Sequence, residues 1–169
     1  MSRRTSGILF SRSQAIEFAA QCRAEGRRLV VTNGCFDLLH AGHVAYLAAA
    51  RALGDALLVG LNADATVRSL KGPGRPLTGQ ADRAAVLLAL RAVDAVVVFA
   101  EPTAGPLLDE LRAPIYAKGG DYSAGTSGTG IPLPEEPVVR GYGGAIHLLP
   151  YRDGCSTSAL IERIRRFGG

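Results

Sequence analysis

A chain of 169 residues, 47% hydrophobic and 20% charged, carries enough apolar material for one packed α/β domain and too much for a disordered segment. Its net charge of +4 is mild, and the arginines are scattered without aromatic interleaving, which argues against a nucleic-acid partner. No apolar run approaches the ~20 residues of a membrane span, and residues 1–14 lack the apolar core of a secretory signal, so no membrane association and a cytoplasmic location are expected.

In chain order, helical spacing over Ser13–Glu25 ends at Gly26, and an apolar run at Arg28–Thr32 reads as a buried strand. A helix is predicted over His43–Leu53, with Val44, Leu47 and Ala48 on one face and Gly54 as its stop. A strand follows at Ala56–Leu61, then a Gly/Pro-punctuated loop to Arg75 and a helix over Ala81–Val93. Strands at Ala95–Phe99, Pro114–Ala117 and Ala145–Leu149 alternate with helices over Thr103–Leu111 and Ser156–Phe167, both opening on a hydroxyl residue able to cap. Strands alternating with helices imply right-handed βαβ crossovers. The expected fold is a single Rossmann-like domain over residues 1–169, a five-stranded parallel sheet with helices on both faces. Ligands of such sheets bind beyond the carboxyl ends of the strands. The chemically unusual residues of this sequence fall there.

Thr32-Asn-Gly-Cys-Phe-Asp-Leu-Leu-His-Ala-Gly-His43 runs from a strand into a helix. Gly34 and Gly42 leave room for close backbone approach, and His40 and His43, three residues apart, project from one side of a helix entrance suited to phosphate. Two of the chain's three histidines share this loop, whereas His147 sits mid-strand and reads as structural. Of 19 basic residues only Lys71 and Lys118 are lysine, each beside glycine, where a compact ammonium contacts phosphate as a point charge. Lys118-Gly-Gly-Asp-Tyr122 ends the fourth strand, and its aspartate is placed to bind ribose hydroxyls. Asp153-Gly-Cys-Ser-Thr-Ser158 opens the last helix as a phosphate cradle or an ordinary cap. Cys22, Cys35 and Cys155 show no metal-ligand spacing and read as small reduced neighbours, so no protein-held metal is expected.

The loop Gly34-Cys-Phe-Asp-Leu-Leu-His-Ala-Gly-His43 resembles the HxGH signature of the cytidylyltransferase-like nucleotidyltransferases. The resemblance runs from about Ser13 to Phe167, and it implies that His40 and His43 contact the triphosphate and stabilise the pentacoordinate α-phosphorus. It further implies that Lys71 neutralises phosphate, joining the two histidines as catalytic residues, with Arg83 assisting. Asn33, Gly34, Cys35, Phe36, Gly42, Lys118, Gly119, Gly120, Asp121, Ser156, Thr157 and Ser158 would surround the nucleotide and its phosphates. Asp37 and Asp64 would lie near the acceptor.

The segments Asn33–Asp37, Lys118–Tyr122 and Asp153–Thr157 are most similar to the heptose 1-phosphate adenylyltransferases, which make ADP-heptose for the lipopolysaccharide inner core. Two departures are the Ser123–Gly130 loop, about six residues longer than the family's usual connection, and Ser158-Ala159 at the end of the second signature. The resemblance implies ATP and a sugar 1-phosphate as substrates and Mg²⁺ held mainly through ATP phosphates. It also implies a separate sugar kinase acting upstream and a homodimer or higher homo-oligomer. A cytidylyltransferase acting on glycerol 3-phosphate or phosphoethanolamine is the nearest alternative; a non-catalytic nucleotide-binding module is one of another class. An NAD-binding oxidoreductase is disfavoured because GxGxxG is missing after the first strand.

Overall fold

The computed structural model describes residues 7–120, 122–123, 131–150 and 157–167. The elements are β1 (Ile8–Phe10), α1 (Arg12–Ala24), β2 (Leu29–Gly34), α2 (Ala41–Ala52), β3 (Ala56–Asn62), α3 (Asp64–Lys71), α4 (Gln80–Leu88) and β4 (Ala95–Phe99). They continue with α5 (Gly105–Leu111), β5 (Ile115–Gly119), β6 (Tyr122–Ser123), β7 (Ile131–Pro132), α6 (Glu136–Gly141), β8 (Ala145–Leu149) and α7 (Thr157–Phe167). Six strands form one parallel sheet in the order β1-β4-β3-β2-β5-β8, and β6 pairs β7 separately. The chain builds outward from β2 through β3 to β4 and then crosses back to β5, which places the topological switch between β2 and β5.

Alternation along the strands divides the core in two. Leu29, Val31 and Leu58 face α1, α5 and α6 on one side, packing with Ala15, Leu107 and Val139. Val30, Leu57 and Val59 face α2 and α4 on the other, packing with Leu47 and Leu87. Every residue of β3 is buried, as a central parallel strand requires. Gly60 belongs to this strand because a Cβ there would come within 2.9 Å of Leu107, so the missing side chain sets how closely α5 lies on the sheet.

Several local differences from the sequence expectation have physical causes. The five expected strands are present, and β1 adds a sixth at the edge beside β4; three residues are too few to show a period. The expected loop after β3 contains α3, which buries only Thr66 and Val67 and therefore shows little apolar pattern. The helix predicted to Val93 stops at Leu88, and Leu90 and Val93 enter the core through turns bonded to Leu87 and Leu90. Helix α5 is not capped by Thr103: it begins at Gly105 with Pro106 in its first turn, and the Ala104 amide donates to the Glu135 carboxylate at 3.2 Å. No helix among the described residues is long and apolar enough to cross a membrane.

One buried side chain ties helix to sheet at the switch. The Tyr46 hydroxyl of α2 lies 2.6 Å from Thr32 Oγ1 in β2 and donates to the Ala117 carbonyl of β5 at 3.1 Å. Tyr46→Phe should lower stability by about 1–3 kcal/mol, because it strands a buried hydroxyl and a carbonyl. Urea denaturation of both proteins, with m unchanged, is the check.

Candidate active site

A cleft of about 440 Å³ opens at the carboxyl ends of the strands. Its floor is the β2–α2 connection. Phe36 takes a positive φ of 45°, and its ring fills the space beside Gly34, where a Cβ would lie 3.0 Å from the ring edge. Gly34 thus makes room for the Phe36 ring, and it also lines the cleft, where the sequence places it against a ligand.

His40 is the N-cap of α2: its Nδ1 accepts from the Gly42 amide at 3.1 Å. An accepting Nδ1 fixes the neutral tautomer with its proton on Nε2, leaving that N–H free to donate outward. The His40 and His43 rings stack at 3.9 Å between centroids, and Phe36 lies 5.4 Å from His43 on another side. His43 lines the cleft, and its Nδ1 is buried with no partner among the described residues. Burial, helped by His40 and Lys71, pushes His43 down to about 4, and burial also lowers His40. Both imidazoles are therefore neutral donors at neutral pH until an anion arrives.

Three cations stand around these rings. Lys71, expected in a loop, is instead the last residue of α3; it is exposed, lines the cleft, and pairs with no described residue. Lys118 at the end of β5 donates to Asn33 Oδ1 at 2.9 Å, and the Tyr116 hydroxyl donates to the same oxygen at 2.6 Å, so Asn33 is oriented by two side chains of the neighbouring strand. Burial pushes the Lys118 ammonium below its ordinary value, with Glu135 pulling the other way. Arg75 is a wall residue that the sequence reading passed over; the turn Gly72-Pro-Gly-Arg75 was its signal. Its Nε donates to Asp37 at 2.6 Å, and its outer nitrogens make no bond to a described residue.

The carboxylates and Arg83 are arranged differently from expectation. Asp37, expected to meet the acceptor, is 5% exposed, and its oxygens are taken by Arg75 and by the Leu77 and Thr78 amides. It clamps the 75–78 segment against the floor. Arg83, expected at a phosphate, is 1% exposed and stands outside the cleft wall. Its guanidinium donates to the carbonyls of Thr78, Cys35 and Asn62 and to Asp64 Oδ1. Asp64 is thereby engaged as Arg83's partner: burial acts to raise its carboxyl, but the bonds from Arg83 and the Gln80 contact outweigh it and leave it lowered. Buried carbonyls, which need donors, account for an arginine in the first turn of α4.

Cys35 and Gly119 line the cleft, and burial pushes the Cys35 thiol up, so it is a wall and not a nucleophile. Thr157, which begins α7, reaches the β2–α2 loop through a 3.4 Å bond to the Leu38 carbonyl. The second expected signature therefore meets the first. His40, Gly42 and Gly120 are not among the residues that line the cleft. Asp121, Ser156 and the side chain of Ser158 lie outside the described residues, as do Cys155 and residues 124–130. Glu135, Thr103 and Tyr46 line the cleft without having been singled out. Among the described residues the cleft is lined by Lys71, Arg75, Lys118 and His43 together with the carboxylates of Asp37 and Glu135, an arrangement suited to holding two anions against each other.

A family model described as cytidylyltransferase-like matches residues 31–163. The chain is 51% identical over 147 residues to the bifunctional protein HldE of Geotalea uraniireducens, covering 85% of this chain and 28% of that protein. It is 53% identical over 145 residues to the bifunctional protein HldE of Streptomyces coelicolor, covering 86% and 30%. It spans less than a third of these relatives' length. Among solved structures, the lipopolysaccharide core biosynthesis protein of Thermoplasma volcanium superposes with a TM-score of 0.59 at 25% identity, covering 75% of this chain and 98% of that one.

Two outcomes follow from the geometry. Arg83→Met should lower stability by about 3–5 kcal/mol, because it strands three buried carbonyls and an aspartate; chemical denaturation reads it, and an effect on turnover alone would contradict the assigned role. His43, neutral in the fold and basic near 6.5 when unfolded, contributes stability that is complete above pH ~6.5 and is lost as pH falls toward 4. Melting temperatures of wild type and His43→Asn across that range should therefore converge toward acid.

Proposed function

The chain belongs to the cytidylyltransferase-like family and is a nucleotidyltransferase, and we propose that it transfers AMP from ATP to D-glycero-β-D-manno-heptose 1-phosphate, giving ADP-heptose and pyrophosphate. The observation that carries this reading is the ring of His43, Lys71, Arg75 and Lys118 around one cleft at the switch point. Identity near 50% to proteins named HldE, and a structural neighbour named for lipopolysaccharide core biosynthesis, support the sugar. The Lys118-Gly-Gly-Asp-Tyr122 segment supports ATP over CTP, with Asp121 at the ribose.

In this mechanism an oxygen of the sugar 1-phosphate attacks the α-phosphorus of ATP in line. The new P–O bond forms as the bond to the β-phosphate oxygen breaks, and pyrophosphate leaves with the electron pair. The acceptor phosphate is a dianion near neutral pH, so no strong base is required, and catalysis reduces to positioning and charge neutralisation. His40 through Nε2–H and His43 donate to oxygens whose charge grows in the transition state. Lys71, with no partner among the described residues, bridges the two anions. Lys118 and Arg75 hold the remaining phosphate oxygens. Among the described residues no cluster of His, Cys, Asp or Glu is arranged for a metal ion; the donor set fits Mg²⁺ carried in by the triphosphate and water, where it would neutralise phosphate charge. A sugar kinase supplies the 1-phosphate.

Pyrophosphate release across a grid of nucleotides and sugar phosphates tests the assignment: the ATP and heptose 1-phosphate pair should give the highest kcat/KM. A clear preference for CTP with glycerol 3-phosphate would replace this reading with a cytidylyltransferase. His40→Ala and His43→Ala should each cut kcat by about 10²–10³ in folded protein. Lys71→Ala should cost several kcal/mol of transition-state stabilisation, with Lys71→Arg restoring only part because the planar guanidinium spreads its donors. Full activity in Lys71→Ala would remove the bridging role.

A further inference from the structure

Glu135 is used neither by the core nor by the phosphate chemistry. It is 4% exposed and lines the cleft, near enough to Lys118 to favour that ammonium's charged form. One carboxylate oxygen, Oε1, accepts from the Ala104 amide at 3.2 Å. The other, Oε2, is buried with no hydrogen-bond partner among the described residues. A buried carboxylate oxygen is expensive to leave without a donor, so an oxygen held this way in a ligand cleft is a place for a donor that arrives with the ligand.

The neighbourhood narrows what that donor is. A phosphate is repelled by the carboxylate. A metal would need further ligands, and no such cluster forms among the described residues. The bond to Ala104 leaves Oε2 with little freedom to turn away, and Pro134 and Pro137 flank the residue and stiffen its backbone. Thr103, just before Ala104, stands on the same wall and adds a hydroxyl. A fixed carboxylate oxygen and a hydroxyl, in a cleft also lined by Lys71, Arg75 and Lys118, match a polyol attached to a phosphate. Both substrates of a nucleotidyltransferase acting on sugars have that form.

We propose that Glu135 Oε2 accepts a hydrogen bond from a sugar hydroxyl of the bound substrate, and that Glu135 is a specificity residue of this cleft. The proposal rests on the nucleotidyltransferase reading and not on heptose being the acceptor. The hydroxyl belongs either to the nucleotide ribose or to the acceptor sugar, and the experiment separates them.

Wild type and Glu135→Gln are compared in two arms. In the first, calorimetry measures binding of ATP, 2′-deoxy-ATP and 3′-deoxy-ATP. In the second, pyrophosphate release gives KM for heptose 1-phosphate and its monodeoxy forms, or for whichever sugar phosphate wild type turns over best. Glutamine can still accept from Ala104 but presents an amide donor where Oε2 was. The expected result is a loss of about 10-fold in affinity in one arm, vanishing against the one analogue that lacks the contacted hydroxyl. Loss in the first arm assigns the ribose and loss in the second assigns the acceptor. Equal loss against every analogue, no loss in either arm, or a shift confined to Mg²⁺ half-saturation overturns the proposal. Should the glutamine variant not fold, Glu135→Asp, which keeps the charge but withdraws the oxygen, must give the same hydroxyl-specific loss. Failure of heptose as acceptor would appear in wild type itself, before any variant is made.

Discussion

The buried guanidinium of Arg83 is the constraint on which the cleft depends. It joins the carbonyl of Cys35 in the loop after β2, that of Asn62 at the end of β3, and that of Thr78 before α4. These carbonyls lie where the chain leaves or has left its strands, and they need donors from elsewhere. A planar cation with five donors can serve several at once, which a lysine cannot. Asp64 balances the charge. The second clamp, Asp37 on Arg75, Leu77 and Thr78, fastens the far end of the same segment. Lys71 and Arg75 thus project from a stretch pinned at both ends, so little ordering remains for the substrates to bring about.

This architecture explains what could be read from sequence. The strands were legible because parallel strands buried on both faces must be apolar throughout, and Val30, Leu57 and Val96 leave no other reading. The histidine loop was legible because imidazoles beside glycines at a strand-to-helix junction are uncommon without a ligand. Arg83, in contrast, looked like a phosphate contact because sequence reports its charge but not its burial, and three backbone carbonyls leave no letter in the chain. Asp37 lines the cleft, but its clamp on the 75–78 segment was not legible, because its partners Leu77 and Thr78 offer amides, which any residue has. Helix α3 was hidden by the Gly72-Pro-Gly74 that follows it. Glu135 was hidden because its hydrogen bond reaches back to Ala104, 31 positions earlier in the chain.

The cleft carries both signs of charge. Lys71, Arg75 and Lys118 line it together with His43, and the carboxylate of Glu135 stands at the start of α6. Anions are drawn to the cations and repelled by the carboxylate, which favours one orientation of an anionic ligand over another. The low affinity of His43 for protons strengthens this arrangement. Neutral rings do not compete with Lys71 for the same negative charge, and they gain their full interaction only as charge develops.

His40 performs two tasks with the two nitrogens of one ring. Nδ1 closes the first turn of α2 by accepting from Gly42, a duty that asparagine, aspartate or serine discharges at many helix starts. Nε2 faces the other way. The helix has in effect handed one of its own amide donors to the imidazole and received it back several ångströms further out. Folding demands at this position only an acceptor, while the proposed chemistry demands a donor as well. Drift at residue 40 could accordingly silence the enzyme while leaving a sound, nucleotide-shaped protein behind, a ready starting point for a sensor.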